Sequence, residues 1–451
     1  MCGILGITSK QNDVPIKIYE GLTYLQHRGQ DSTGICNETI CKKSNGLVKE
    51  VFTQEDLNLL VSNVCIGHVR YGTTGNFNKH TIQPIIKEQK NKKFSLVHNG
   101  NINNLSELSK IINKSDLNSD SEYILELFLY KLTEYEEING KVIFEICDYL
   151  MATLKGSYSI LMLIEGFGMI CFRDKFGIRP LIYGIANDEY IISSESVVLE
   201  VLNYQLIRDV YPGETIIFEN NCLPRFLIRK NSSLNPCLFE YIYFSRIDSK
   251  IDKINVYDAR YKLGQLLGER IKKKNITDID IIVPVPDSSL IFALGIHECL
   301  NISIQYGLVK NPYIERTFIM KDDKIINKSI KRKLNAVKPV LQGKNILIVD
   351  DSIVRGNTLS HIVYLSKKAG AKNIYMASGA PPVLYPNKYG IFIESQKELI
   401  AVNRSHKDIA DVIGCNEVIY NNLDEITNCL KKINPEILGF ETSMFNNVHL
   451  F

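Results

Sequence analysis

The stretch at residues 345–358, NILIVDDSIVRGNT, limits the possible folds more than any other part of the chain. It begins with a run rich in Ile, Leu and Val, which predicts a buried strand. Two adjacent acids, Asp350 and Asp351, come next, followed by a small polar loop and a helical pattern that Gly370 can end. A strand, a loop and a helix start in this order place backbone N–H groups at the positive end of a helix dipole, which favours a bound phosphate.

The two acids need their own explanation, because carboxylates repel phosphate. Asp350 and Asp351 can accept hydrogen bonds from two vicinal sugar hydroxyls, or they can bind a divalent cation that contacts hydroxyls and phosphate together. A ligand with a phosphate at one end and a diol beside it is a ribose 5-phosphate. The alternative interpretation is an ordinary βα turn whose acids only cap the helix.

This motif resembles the site at which type I phosphoribosyltransferases bind phosphoribosyl pyrophosphate (PRPP). The resemblance implies a domain with a mostly parallel sheet, and it assigns PRPP contacts to the acids and to the loop after them. The residues implied are Asp350, Asp351, Ser352, Val354, Arg355, Gly356, Asn357 and Thr358. Asn357 departs from the family, which commonly has Thr there, but the Asn amide can still donate a hydrogen bond.

Composition excludes several other classes of protein. A chain of 451 residues predicts two to three domains. The 53 basic and 50 acidic residues give a net charge of +3, which does not favour nucleic acid or a membrane surface as a partner. No apolar run approaches the roughly 20 residues that a membrane span needs, and the N-terminus lacks the basic region of a signal peptide. Eleven cysteines without a CxxC pair predict reduced thiols and a cytoplasmic location.

Cys2 is the first candidate for chemistry in the N-terminal half. A small second residue normally permits removal of the initiator Met, so the mature chain is predicted to begin at Cys2. An α-amine with a pKa of about 8 would then lie beside a thiol with a pKa of about 8.5, and it could serve as the general base for that thiol. Taken alone, Cys2 is more simply an incidental residue near a frayed terminus. The apolar run CGILGI, however, predicts a strand that buries this terminus in a sheet.

Four polar stretches follow, and we expect each to lie at a strand end or a turn, where functional side chains concentrate. They are LQHRGQDSTG at 25–34, GHVRYGTTG at 67–75, LVHNGNI at 96–102 and SDSE at 119–122. With Cys2, and in this order, they resemble the glutamine amidotransferases of the N-terminal-nucleophile (Ntn) class over roughly residues 2 to 215. The resemblance implies an αββα sandwich.

The same resemblance implies roles for five residues. Cys2 would be the nucleophile, and Arg70 would hold the α-carboxylate of L-glutamine with its forked guanidinium. Asp120 would pair with the α-ammonium group. The side chain of Asn99 and the backbone N–H of Gly100 would form the oxyanion hole, which stabilises charge developing on the amide oxygen.

The other polar residues of this half receive structural interpretations. His27 is predicted to be a hydrogen-bonded core histidine, and His98 a positioning residue. The stretches at 173–181 and 193–196 fit the amidotransferase class and are interpreted as turns that close the domain.

A change of composition predicts the domain boundary. Residues 220–235 are polar and contain Pro224 with paired Asn and Ser, so they are predicted to be a linker. The first domain then covers residues 2–235 and the second covers 236–451. The aromatic run at 237–249 resembles the junction segment of the glutamine PRPP amidotransferases.

The stretch DIIVPVPDSS at 280–289 predicts a second buried strand that ends in a Pro-rich polar turn. It resembles the loop that binds pyrophosphate in type I phosphoribosyltransferases. Ser288 falls where the glutamine PRPP amidotransferases have a hydroxyl ligand for magnesium. The implied Mg²⁺ ligands are Ser288, Asp350 and Asp351, all of them oxygen donors, which this cation prefers.

Residues 307–319 resemble the catalytic flexible loop of that family, with Lys310 and Arg316 as bases that contact PRPP. Two positions depart from the family: Pro312 replaces an expected Arg, and Glu315 replaces an expected Gly. An acid in a loop that closes over a polyanion is unfavourable unless a base pairs with it. Lys310, Arg316 and the basic run at 331–335 could supply that base.

One branch of the family carries an iron–sulfur cluster on four cysteines. In this chain Cys237 fills one of those positions, but Asn387 stands at another. Near the C-terminus only Cys429 is found. Four thiolates are needed to hold such a cluster, so none is predicted.

The whole chain, about residues 2 to 446, resembles the glutamine PRPP amidotransferases, the pentosyltransferases that begin purine synthesis. The resemblance implies that Cys2 releases ammonia from glutamine and that the ammonia passes internally to PRPP, giving 5-phosphoribosylamine and pyrophosphate. It also implies a homodimer or homotetramer inhibited by purine nucleotides. One alternative couples the Ntn half to another acceptor, but neither sugar-isomerase halves nor an ATP-pyrophosphatase loop is found. Another is a non-catalytic PRPP-sensing regulator, against which the complete set around Cys2 argues.

Overall fold

A computed structural model describes residues 2–72, 79–220, 222–311, 334–393 and 395–451. In this part of the chain, the N-terminal half forms two antiparallel sheets. Their strands are β1 Gly3–Thr8, β2 Ser32–Cys36, β3 Cys41–Asn45, β4 Val64–Arg70, β5 Ile85–Gln89, β6 Lys92–Ile102, β7 Gly156–Ile164, β8 Gly168–Arg173, β9 Ile182–Ala186, β10 Glu189–Ser193, β11 Gln205–Asp209, β12 Glu214–Glu219 and β13 Arg225–Ile228. The first sheet has the order β11-β9-β10-β1-β4-β2-β3, and the second has the order β13-β12-β8-β7-β6-β5.

The two sheets face each other across an apolar core and carry helices on their outer faces. Ile4 and Ile66 of the first sheet pack in this core with Val97 and Leu161 of the second. Helix Val14–Tyr24 covers β1 and β4, whereas Asp120–Leu132 and Gly140–Thr153 cover the second sheet. The shorter helices are Gln26–Arg28, Val48–Val51, Gln54–Leu59, Lys79–Thr81, Leu105–Ile112 and Val197–Val201. The predicted αββα sandwich is therefore confirmed.

The C-terminal half is built on a parallel sheet. Its strands are β14 Lys250–Ile251, β15 Ile254–Asn255, β16 Ile281–Pro284, β17 Leu308–Lys310, β18 Leu334–Ala336, β19 Asn345–Asp350, β20 Asn373–Ser378 and β21 Glu417–Tyr420. Among the described residues, the main sheet has the order β16-β19-β20-β21 with every pair parallel. Its helices are Glu240–Phe244, Val256–Lys273, Leu290–Leu300, Lys338–Leu341, Asn357–Lys368, Gln396–Glu398, His406–Ile413, Leu423–Ile433 and Ser443–Asn446.

The strand–loop–helix unit predicted at residues 345–358 is confirmed. The apolar run forms β19, which is buried at Ile346, Leu347, Ile348 and Val349. The helix begins at Asn357, after Gly356 adopts a left-handed φ of +83° that glycine takes up without steric cost. The mostly parallel sheet expected of the second half is also confirmed. Helix Asn357–Lys368 is the crossover connection that allows β19 to pair in parallel with β20.

One local prediction was wrong. Residues 220–235 were predicted to be a linker, but β13 lies within them and pairs with β12, because Phe226, Leu227 and Ile228 favour a strand that completes the sheet edge. The stretch at 96–102, expected at a strand end, forms the last seven residues of β6, with Asn99 and Gly100 near its end. The domain boundary at 235/236 stays a prediction.

The prediction of reduced thiols throughout is also corrected. Cys36 and Cys41 are joined by a disulfide, since β2 and β3 form a hairpin whose register places the two residues directly opposite each other. The other nine cysteines are free thiols. In the part of the chain that is described, no helix is long and apolar enough to cross a bilayer.

Candidate active sites

Cys2 lies at the start of β1, where strand register sets its neighbours. The antiparallel pairing of Gly3 with Val69 brings Cys2 opposite Arg70, the last residue of β4. The nitrogen of Cys2 donates to Asn99 Oδ1 at 3.2 Å. Asn99 Nδ2 is buried and has no hydrogen-bond partner among the described residues. The sandwich therefore places Cys2 beside an amide donor that, as far as the described residues go, is free to bind an incoming oxygen.

Arg70 and Asp120 are held by contacts to neighbouring strands and turns. The Arg70 guanidinium donates to Thr81 Oγ1. Gly29 packs on the backbone of Arg70 so closely that a Cβ at position 29 would lie 2.4 Å from the Arg70 carbonyl carbon. Asp120 Oδ2 accepts the N–H of Ile102 at 3.2 Å.

His27 and His98, the two histidines interpreted from the sequence, both make hydrogen bonds. His98 Nδ1 lies 3.6 Å from Asp120 Oδ2 and 3.2 Å from Ser121 Oγ, a geometry suited to positioning the acid. His27 was predicted to lie in the core, but the structure places it at the surface, where its Nε2 lies 2.7 Å from Glu195 Oε1. A carboxylate at the end of a neighbouring strand gives this imidazole a partner without burying it.

The second candidate site lies at the carboxyl edge of the parallel sheet, where such folds bind ligands. Strands β16 and β19 are adjacent and in register, so the turn after Pro284 meets the loop after Asp350. The N–H of Val285 donates to Val349 O at 2.9 Å, and the Ser288 hydroxyl donates to Asp351 Oδ2. The structure thus brings together the two stretches that were predicted separately.

Asp351 is buried and the adjacent Asp350 is half-buried, so the two acids need a partner. Burial and the neighbouring carboxylate of Asp351 raise the pKa of Asp350 well above its usual value. Burial likewise raises the pKa of Asp351, against the opposing hydrogen bond from Ser288. Positive charge or hydroxyl donors from a ligand would relieve this repulsion.

The loop after the acids is fixed by neighbouring contacts. Ser352 Oγ donates to Asp351 Oδ1 at 2.7 Å, and Val354 O accepts the N–H of Ile400 at 2.9 Å. Arg355 forms an ion pair of 2.5 Å with Glu398. Asn357 and Thr358 form the first turn of helix Asn357–Lys368, whose first N–H groups have no intrahelical acceptors.

The predicted flexible loop is described only at its start. Lys310 ends β17 and forms an ion pair of 2.6 Å with Asp287 in the turn after β16. Arg316, Pro312, Glu315 and residues 331–333 lie outside the described residues.

A buried ion-pair network between the two halves was missed by the sequence analysis. Arg28 Nε donates to Cys2 O at 2.9 Å, and its two terminal nitrogens reach Glu195 at 2.5 Å and Glu240 at 2.8 Å. Glu240 also accepts Ser245 Oγ at 2.7 Å and lies 3.4 Å from Arg179 Nη1. The sequence held one usable signal, because Glu240 lies inside the otherwise apolar run CLFEYIYF at 237–244.

The stretches at 173–181 and 193–196 therefore do more than close the first domain. Arg179 and Glu195 belong to the network, and Arg173 pairs with Asp252 at 3.0 Å. All of these charges are essentially excluded from water, and each has an opposite partner, as buried charges require. The halves are joined through these paired charges.

The two sites define a class: an Ntn amidotransferase joined to a type I phosphoribosyltransferase. Family models agree, with a glutamine amidotransferase domain matching residues 73–201 and a phosphoribosyl transferase domain matching residues 256–380. The chain is 41% identical to the amidophosphoribosyltransferase of Escherichia coli K12, with 100% of this chain and 92% of that protein covered. It is 37% identical to that of Saccharomyces cerevisiae, covering 99% and 91%. The chain belongs to the amidophosphoribosyltransferase family, whose members catalyse the first step of purine biosynthesis.

Solved structures lead to the same family. Glutamine PRPP amidotransferase from Bacillus subtilis, complexed with ADP and GMP, is 32% identical with a TM-score of 0.87. That match covers 100% of this chain and 97% of the other. A structure described as the allosteric regulatory enzyme of purine biosynthesis is 33% identical with a TM-score of 0.88, covering 100% and 96%.

Proposed function

We propose that Cys2 is the nucleophile that takes nitrogen from L-glutamine and that the acid pair of the second half holds the PRPP that receives it. The observation that supports the first part is the buried Nδ2 of Asn99 beside Cys2, which has no hydrogen-bond partner within the described part of the chain. A buried amide donor without a partner is costly unless a ligand oxygen completes it.

In the first half-reaction, the free α-amine of a mature Cys2 takes the thiol proton. The thiolate then attacks the side-chain amide carbon of glutamine. Asn99 Nδ2 and the N–H of Gly100 donate to the oxygen that becomes negative. Arg70 pairs with the α-carboxylate and Asp120 with the α-ammonium group. The C–N bond breaks as the nitrogen takes a proton, ammonia leaves, and water hydrolyses the thioester to glutamate.

In the second half-reaction, ammonia travels inside the protein and attacks C1 of PRPP. Pyrophosphate leaves with the bonding electron pair, C1 inverts, and loss of a proton gives 5-phosphoribosylamine. Asp350 and Asp351 accept hydrogen bonds from the ribose hydroxyls, and residues 352–358 with their helix start bind the 5-phosphate. Lys310 and Arg316 would contact the pyrophosphate. Positioning therefore supplies most of the catalysis.

The residues around the acid pair fit a magnesium ion. The Ser288 hydroxyl donates to Asp351 Oδ2, and the backbone N–H of Asp351 donates to Asp350 Oδ1 at 2.9 Å, so these contacts link three side chains with oxygen ligands. Burial raises the pKa of both acids, and the neighbouring carboxylate of Asp351 raises that of Asp350 further. A divalent cation would favour the ionised form of each acid. These three residues would hold Mg²⁺ together with substrate oxygens. When bound, the ion supplies charge neutralisation for the departing pyrophosphate.

An iron–sulfur cluster is not part of the proposal. Asn387 Nδ2 donates to Glu441 Oε2 at 3.1 Å and to Ser443 Oγ at 3.3 Å, so oxygen acceptors surround this amide. Burial raises the pKa of the Cys237 thiol to about 12, which disfavours the thiolate that iron requires.

The remaining partners follow from the relatives. The B. subtilis structure is complexed with ADP and GMP, and we propose that purine nucleotides bind this chain and inhibit it. A cytoplasmic location and a homodimer or homotetramer are retained as predictions. A regulator that only senses PRPP is the alternative, and it would release no glutamate.

The test separates the two half-reactions by changing the nitrogen source. Cys2→Ala should abolish glutamine-dependent formation of phosphoribosylamine while activity with ammonium chloride and Mg²⁺–PRPP is retained. Cys222→Ala, at an exposed free thiol, is the matched control and should keep both activities. Glutamine-dependent turnover by Cys2→Ala would overturn the assignment.

A further inference from the structure

A turn of the C-terminal half lies directly against the predicted oxyanion glycine of the N-terminal half. We call residues 387–391 the 387–391 turn. Gly390 has a left-handed φ of +102°, and a Cβ on it would lie 3.1 Å from Gly100 O and 3.2 Å from Gly100 C. Asn101 Nδ2 donates to Lys388 O at 2.9 Å. The backbone around Gly100 is thus contacted by residues almost 300 positions further along the chain.

The side chain of Asn387 determines the shape of this turn. Its Oδ1 accepts the N–H of Tyr389 at 2.8 Å and that of Ile391 at 3.2 Å. Its Nδ2 donates to Glu441 Oε2 and Ser443 Oγ, which belong to the closing segment of the chain. One amide therefore fixes two backbone groups of the turn and ties them to a second segment.

The N-terminal half holds the turn from the opposite side. Tyr389 O accepts Ser157 Oγ at 2.7 Å and Arg179 Nε at 2.9 Å. Ser157 and Arg179 are fully buried, and Tyr389 is 1% exposed. Moving the turn away would leave buried polar groups unpaired, at about 1–3 kcal/mol for each group.

Gly100 needs such support because of its own geometry. Its φ of +155° lies in a region that side chains rarely adopt, and a Cβ there would lie 2.0 Å from Ser157 O. Glycine moves among backbone conformations more freely than any other residue, so its N–H keeps one direction only if neighbours restrain it. An oxyanion donor must point to within a fraction of an ångström of the developing charge.

We propose that Asn387 is a positioning residue for the glutamine half-reaction. It holds the 387–391 turn against Gly100 and so keeps the Gly100 N–H directed at the tetrahedral oxygen. The inference rests on the function proposed above. It means that the glutamine site is completed by the phosphoribosyltransferase half.

The turn is also connected to the second site through a short piece of chain. The N–H of Gly379 donates to Asp350 O at 2.9 Å, and the N–H of Ala380 donates to Asp351 O at 2.8 Å. The two residues that bind the backbone of the acid pair therefore lie about ten positions before the turn that supports Gly100.

The test is Asn387→Ala in the full-length enzyme, with Asn422→Ala as the matched control. Asn422 caps helix Leu423–Ile433 through the N–H groups of Asp424 and Glu425, so both variants remove an Asn that binds two backbone N–H groups. We expect Asn387→Ala to lower kcat for glutamate release about ten- to hundredfold, below the full loss of an oxyanion donor. KM for glutamine should stay within about twofold, since Arg70 and Asp120 are untouched.

Phosphoribosylamine formation from ammonium chloride should be unchanged in Asn387→Ala, and both activities should be unchanged in Asn422→Ala. Gly390→Ala disturbs the same contact from the other side and should also lower kcat for glutamate release. If Asn387→Ala does not fold, Gly390→Ala tests the proposal in its place. Unchanged glutamate release, or an equal fall in both activities, would overturn the positioning role. A wild-type enzyme without glutamate release would instead contradict the proposed function.

Discussion

Glu240 offers the sharpest test of how the two halves are joined. Its carboxylate is 1% exposed and accepts from Arg28 at 2.8 Å and from Ser245 at 2.7 Å, with Arg179 at 3.4 Å. Burial alone would raise the pKa of Glu240, but the charges of Arg28 and Arg179 lower it below its ordinary value. The folded protein therefore favours the ionised carboxylate.

Glu240→Gln keeps the shape and removes the charge. Breaking a buried ion pair by removing one partner costs about 3–5 kcal/mol, because the remaining charge stays buried. A chain of this length unfolds with an entropy of roughly 1 kcal/mol per kelvin, at about 2.1 cal/mol/K for each residue. We therefore expect a fall in Tm of about 3–5 °C at pH 7.

The matched control is Glu436→Gln. Glu436 pairs with Lys253 at 2.5 Å, but both side chains are more than half exposed. An exposed pair contributes about 0–1 kcal/mol, so Tm should fall by about 1 °C or less. The two variants remove the same charge, in one case from a buried cluster and in the other from an exposed pair.

The pH dependence of the stability gives a second, independent test of the role of Glu240. A carboxylate with a lowered folded-state pKa stabilises the protein above its unfolded value, here 4.5, and this stabilisation is lost as pH falls through the folded-state pKa. The difference in Tm between wild type and Glu240→Gln should be full at pH 7 and should shrink below about pH 4. Equal shifts for Glu240→Gln and Glu436→Gln, measured by scanning calorimetry at one scan rate, would refute the reasoning.

Two other predictions concern acids with raised pKa values. Burial and the neighbouring Asp252 raise the pKa of Asp209 to about 7, so the stability that it contributes below its unfolded value of 3.8 is lost as pH rises through 7. Asp209→Asn should therefore raise Tm relative to wild type at pH 8 but not at pH 4, and calorimetry at both values checks the sign. Asp350→Asn with Asp351→Asn should raise KM for PRPP at least about tenfold, since each loses charge-assisted hydrogen bonds of about 1.5–3 kcal/mol. The exposed Asp258→Asn is the control in PRPP titrations, where equal affinities would contradict the placement of the second site.

Local patterns of residues determine much of the fold. The strand β19 and the helix Asn357–Lys368 depend on residues within about twenty positions of one another, so sequence alone predicted them. The apolar β1 likewise follows from its own composition. Where local pattern was weak, as in the segment that forms β13, sheet pairing decided the outcome.

The same distinction applies to the two sites, where the sequence named the residues and the structure showed their contacts. Cys2, Arg70 and Asn99 were named from motifs, but only strand register shows that Cys2 lies opposite Arg70 and within 3.2 Å of Asn99 Oδ1. Ser288 and Asp351 were predicted from separate stretches, and their contact follows from the parallel pairing of β16 with β19.

The contacts between the halves could not have been predicted. Arg28 and Glu240 are separated by 212 positions, and Asn101 and Lys388 by 287. A charged side chain in a sequence does not specify its partner, because that choice depends on which surfaces meet and on how fully water is excluded there. The sequence by itself determined the two chemistries and the local units that carry them. Tertiary structure decided how they are joined, since burial makes each of these distant partners necessary to the other.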